Sequence, residues 1–225
     1  TRSGDLYSER VAASGRVLLD WVTLDGELKW DLATSQANLG KIAASFPLGP
    51  GFKASAEYRT YNPFFELWTI WGAFSPVGYD EARGRIDWMA STGRISGYAY
   101  GSQRTYGDTG ADAPDALPIQ SESWRWGLGG RYSPRTDLIL SGEYRYEEGY
   151  GASRHGGDGS IQKLFGRNAY LALKGTAFET FSEFRVGSGR VYGGGLQGAV
   201  PVGPATLQGG AMFYNHIPAD RPSLL

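Results

Sequence analysis

The charged residues of this chain recur at even spacings. Lys53, Glu57 and Arg59 form one set, Arg83, Arg85 and Asp87 a second, Arg125 and Arg131 a third, and Glu143 and Arg145 a fourth. A spacing of two puts side chains on one face of a β-strand. A face carrying both signs can do two things. It can line an aqueous passage and sort solutes by charge, because arginine, 17 of the 22 basic residues, binds carboxylates and other anions through parallel hydrogen bonds. Alternatively, Glu57, Asp87, Glu143 and Glu183 can pair with arginines across strands and stiffen a wall. These ten residues are the candidate pore-lining set, and their mixed signs argue against strong selectivity for either anions or cations.

Other reactive groups are sparse. Asp108, Asp112 and Asp115 fall in a segment without a basic residue. Asp-rich loops can hold a hard cation or meet divalent-bridged lipopolysaccharide, but the spacing is not that of a calcium-binding helical hand, and a solvated acidic loop is the plainer reading. The two histidines are His155 and His216. Ser153, Arg154 and His155 with Asp158 contain the residue types of serine chemistry. That chemistry needs nucleophile, base and oxyanion donors brought together in space, which neighbours in a glycine-rich stretch do not supply. Gly193-Gly194-Gly195 lies within a strand pattern, not at the strand-to-helix turn of a phosphate loop. No catalytic residue, cofactor or metal site is expected. With no cysteine, the chain holds no disulfide, thiolate zinc site or covalent c-type haem. The 22 basic and 23 acidic residues give a net charge of -1, which removes the bulk electrostatic case for nucleic acid.

The elements that must position these groups follow from periodicity. From Asp137 to Glu147, Leu138, Leu140, Gly142, Tyr144 and Tyr146 alternate with Ile139, Ser141, Glu143 and Arg145, the signature of strand and not helix. Similar alternation predicts strands at 16–24, 27–36, 39–47, 52–61, 65–75, 82–91, 94–106, 122–132, 137–147, 166–176, 178–187, 190–200 and 205–215, with a further one at 5–13. Asp25-Gly26 is a two-residue hairpin signal. The connections sort alternately into a short set (37–38, 62–64, 92–93, 133–136, 177, 201–204) and a set holding the long loops (25–26, 48–51, 76–81, 107–121, 148–165, 188–189). Along Phe64–Phe74 alternation fails and both faces are apolar, so Phe64, Trp68 and Trp71 are expected to touch a partner or plug, or to form an aromatic interface belt.

The fold class is therefore all-β, an antiparallel up-and-down barrel of 13–14 strands, read as one barrel domain or barrel segment over 1–225. Strands of ~9–11 residues suit a tilted bilayer crossing, and short turns on one side with long loops on the other suit an outer-membrane barrel. The uncharged stretch from Val191 to Ala219 contains too much Gly and Pro to cross as a helix. With 34 glycines, 14% aromatics and no cysteine, the chain resembles porin-like bacterial outer-membrane β-barrels. The resemblance implies a location in the outer membrane, contact with lipid and lipopolysaccharide, and passage of small solutes through a charge-lined lumen. It also implies that both ends should lie on the short-turn side, so the strand count implies that part of a longer barrel lies outside this chain. A second reading is a structural sleeve around a partner, as in porin–cytochrome conduits, where the partner would carry the haem. A third is a soluble β-sandwich that binds a ligand.

Overall fold

The computed structural model describes residues 10–32, 35–62, 78–107, 121–149, 152–166, 169–183 and 189–218. They form twelve strands and, among the described residues, no helix. These are β1 (Arg10–Leu18), β2 (Thr23–Asp31), β3 (Gln36–Gly49), β4 (Phe52–Tyr61), β5 (Tyr79–Met89), β6 (Ile95–Tyr106), β7 (Glu122–Arg135), β8 (Leu138–Gly149), β9 (Ala152–Phe165), β10 (Ala169–Glu183), β11 (Gly189–Val202) and β12 (Ala205–Pro218). All lie in one sheet in sequence order, each antiparallel to the next. The topology is a pure up-and-down meander. Among the described residues β1 and β12 do not pair with each other, so the twelve strands make an open wall of barrel type and not a closed ring.

Residues opposite one another in an antiparallel pair share a face, so the registers divide the wall into two surfaces. One runs Val17, Leu24, Ala44, Ala56, Gly84, Gly101, Trp126, Tyr146 from β1 to β8. Every tryptophan on a described strand (Trp30, Trp88, Trp124 and Trp126) stands on this apolar face. A glycine from each of six successive strands, Gly97, Gly130, Gly142, Gly159, Gly175 and Gly194, lies in one row across it. The other face carries the charges. Tyrosine divides between the two: Tyr58, Tyr132 and Tyr144 are apolar-side, whereas Tyr79, Tyr98 and Tyr100 are charged-side.

Burial is the reverse of a soluble protein's. The most enclosed polar residues, Asp31, Glu81, Ser102 and Ser123, are all on the charged face, at 0 to 8% exposure. The apolar face is bare: Leu128, Leu173, Leu196 and Phe213 are each more than half exposed. Water normally drives such side chains inward at ~25 cal/mol per Å². Here such side chains stay out, while Asp31 and Glu81 are sunk on the opposite, charged face.

Several expectations need correction. Asp25-Gly26 is not a hairpin. β2 runs through it, Asp25 pairs with Arg16 at 2.5 Å, and the reversal comes earlier, where Leu19 N–H donates to Val22 O at 2.9 Å. Gly26 lacks the positive φ that the turn would need. The long loop at 148–165 is also overturned: Ala152–Phe165 is β9, paired to β8 and β10. As a consequence 166–176 and 178–187 are not two strands. β10 passes straight through Ala177, and β9 ends at Phe165 before β10 begins at Ala169. Twelve strands fall within the described residues; the expected strand at 65–75 lies outside them, and β4 pairs directly with β5.

The end-to-end asymmetry survives with different members. One end has the connections 19–22, 50–51, 90–94, 136–137, 166–168 and 203–204; the other has 32–35, 62–78, 107–121, 150–151 and 184–188. Both long connections share an end. A positive φ makes the short end possible at Gly51 (φ 77), where a side chain would meet the Met89 carbonyl at 2.2 Å. At the turn after β7 the Asp137 carboxyl is held below the usual carboxylate range, chiefly by a hydrogen bond from Lys163.

Candidate functional site

The ten candidate residues all stand on the charged face, on β4, β5, β7 and β8. Most are already engaged there. Glu57 takes Lys41 at 3.3 Å and Arg59 at 2.9 Å. Arg85 forks onto Asp87, two residues along its own strand, at 2.7 and 3.0 Å. Glu147 on β8 takes Arg125 from β7 at 2.5 Å and Arg154 from β9 at 3.1 Å. Arg145 reaches Asp158 at 2.5 Å and Glu143 at 3.6 Å. Exposed pairs of this kind contribute ~0–1 kcal/mol singly; distributed over six strands they hold side-chain positions and so shape the face.

Glu143 is the centre of the arrangement. Tyr98 and Tyr100 on β6 both donate their hydroxyls to it, at 2.5 and 3.0 Å, although β7 lies between β6 and β8. Strands two apart are separated by ~9.5 Å, so the rings must lie flat over β7. They can do so because β7 presents Gly129 and Gly127 at those places. A Cβ on Gly129 would sit 2.5 Å from the Tyr98 ring, and one on Gly127 would sit 2.7 Å from the Tyr100 ring. The two rings stack with centroids 6.3 Å apart at 20°. Arg85 covers the Tyr98 ring at 4.1 Å and Arg83 the Tyr100 ring at 5.3 Å, distances at which a cation is attracted to the ring face.

These parts enclose a recess of about 210 Å³ on the charged face. Its lining includes Arg59, Arg83, Arg85, Arg104 and Arg125 with Glu81 and Glu143. Arg104 contacts Glu81 at 3.3 Å and covers Tyr79 at 4.8 Å. Sequence reasoning did not single out Tyr98, Tyr100, Arg104, Glu81, Glu147 or the socket glycines. Even spacing in β6, where Tyr98, Tyr100, Ser102 and Arg104 alternate with Ala99, Gly101 and Gln103, carried that signal.

The remaining expectations fall as follows. Ser153, Arg154, His155 and Asp158 lie on strand β9, not in a loop, and alternation places His155 and Asp158 on opposite faces. His155 lies 3.9 Å from Glu179 on the apolar-face side, and Asp158 joins Arg145 on the charged side. His216 is on β12 and Gly193-Gly194-Gly195 on β11. Asp108, Asp112, Asp115, Phe64, Trp68 and Trp71 lie outside the described residues, as does the segment that suggested a partner inside the barrel.

No protein-family model matches the chain, and no curated protein matches it. Among solved structures the chain is similar to a bacterial polysaccharide outer membrane secretin, with a TM-score of 0.55 and 11% identity over 91% of this chain and 71% of that one. At that identity the likeness is one of fold alone.

Proposed function

We propose that this chain forms the wall of a bacterial outer-membrane β-barrel channel, apolar face to lipid, which passes small polar solutes along its charged inner face. The inversion of burial carries this reading. The apolar stretch also has the right height. On β7 it runs from Trp124 to Tyr132 and on β8 from Leu138 to Tyr146, about 27 Å of strand at ~3.3 Å per residue. At the usual tilt that covers most of a ~25 Å apolar band. At the long-connection end the same face turns polar, with Thr60 bonded to Asp80 at 2.7 Å and Tyr146 to Glu148 at 2.6 Å. An apolar band bounded by polar rims is what a membrane-crossing wall requires, and the long connections at that rim would meet lipopolysaccharide.

Reconstitution tests this reading. The full-length protein in planar bilayers should give steady, single-step KCl conductance, and it should stay with washed membranes until detergent is added. A protein that remains in solution without detergent, or a folded barrel that carries no current, would end the channel reading.

A further inference from the structure

We infer that the recess on the inner face of β4–β8 is an oxyanion station, which binds the carboxylate or phosphate of a passing solute through Arg83 and its neighbours. The inference rests on the channel reading above and adds a substrate class to it. The argument starts from which charges are left over. Every carboxylate on the charged face of β4–β8 is engaged locally: Glu57 by Lys41 and Arg59, Glu81 by Arg104, Asp87 by Arg85, Glu143 by Arg145 and two tyrosines, and Glu147 by Arg125 and Arg154. Lys53, Arg83 and Arg131 on the same strands have no ion pair among the described residues. Equal composition along the chain thus becomes a cationic surplus at one place.

Arg83 is the surplus charge that lines the recess. Glu57 stands opposite it in register but is occupied from its other side, so the guanidinium rests on the Tyr100 ring instead. Tyr100 is itself pinned by Glu143 and seated over Gly127. The cation is thereby held by packing, with its N–H donors free of carboxylate. Arg59, Arg85, Arg104 and Arg125 line the same recess, and an oxyanion supplies several lone pairs in the bidentate pattern that guanidinium favours. The volume of about 210 Å³ accommodates a carboxylate or phosphate group and not a whole large solute, which suits a stepping point along a passage.

The test is made on the full-length protein in planar bilayers under a KCl gradient. The wild type should be anion-selective. Arg83→Gln, which leaves all five engaged carboxylates in place, should lower the chloride-to-potassium permeability ratio by roughly threefold with conductance retained, and Arg83→Lys should restore most of it. Potassium phosphate and potassium glucuronate at millimolar concentration should each reduce the KCl current of the wild type more than that of Arg83→Gln. Glucose at equal concentration should not. Block by only one of the two salts identifies the source as phosphate or carboxylate. A conducting pore that is cation-selective, or whose selectivity and block ignore Arg83→Gln, overturns the station and leaves the channel reading standing. Absence of any conductance overturns the channel reading, and the station with it.

Discussion

Glycine and tyrosine act as one unit at the centre of the charged face. Because a Cβ at Gly127 would stand 2.7 Å from the Tyr100 ring, Gly127→Ala must lift the ring and break its bond to Glu143. The expected loss is about 1–3 kcal/mol, as for other overpacked sites, measured by urea unfolding in detergent micelles. Tyr100→Phe keeps the ring and loses only the hydroxyl, so it should cost about 1 kcal/mol. The double variant Gly127→Ala with Tyr100→Ala should cost clearly less than the sum of the single changes, since the clash and its partner vanish together; full additivity would mean that the ring does not use the glycine. At this scale the sequence is only half legible. It shows that Arg125, Gly127, Gly129 and Arg131 share a face, but a glycine among charges reads as a gap. Only the structure shows that the gap is filled by a ring from the neighbouring strand β6, reaching on to Glu143 of β8.

Strands were legible wherever a bulky apolar residue marked alternate positions, as in β7 and β8. They were obscured where that marker was missing. β9 contains Gly156, Gly157 and Gly159 and read as loop, although Tyr144 and Ala177 flank Gly157 in register on one face. The hairpin at Asp25-Gly26 failed for a related reason: local turn propensity was outweighed by the pairing of Asp25 with Arg16 and of Gly26 with both Gly15 and Ile42. Two adjacent residues on β10 test the division into faces. Leu173→Arg puts a charge on the apolar side and should cost ~2–4 kcal/mol in lipid. Lys174→Gln, one residue along and on the charged side, should change stability by less than ~0.5 kcal/mol. Equal effects at the two sites, measured by unfolding in vesicles, would contradict the assignment of faces. Glycine in β9 has its own test. Gly156 has φ 152, and a Cβ there would lie 2.2 Å from the Ala177 carbonyl, so Gly156→Ala should loosen β9 from β10 and expose 152–165 to hydrogen exchange.

The described wall is organised by one division, ions paired on one face and hydrocarbon bare on the other. Composition alone, nearly neutral and moderately apolar, does not reveal it; alternation over many strands does, because each strand contributes the same two faces. The expected loop asymmetry drew in part on turns at 25–26 and 148–165 that the structure places within strands, yet the connections 62–78 and 107–121 do share an end. Alternation, however, has a period of two, so it says nothing against strands paired two residues out of step. The tyrosines of β6 supply what it lacks. Displaced by two, either Tyr98 or Tyr100 would land on Arg131 or Arg125 instead of a glycine. The stagger between neighbouring strands, summed around a barrel, sets its radius. Two rings seated on two bare backbone positions therefore serve as a gauge: they admit one stagger of β6 on β7 and reject those two residues away.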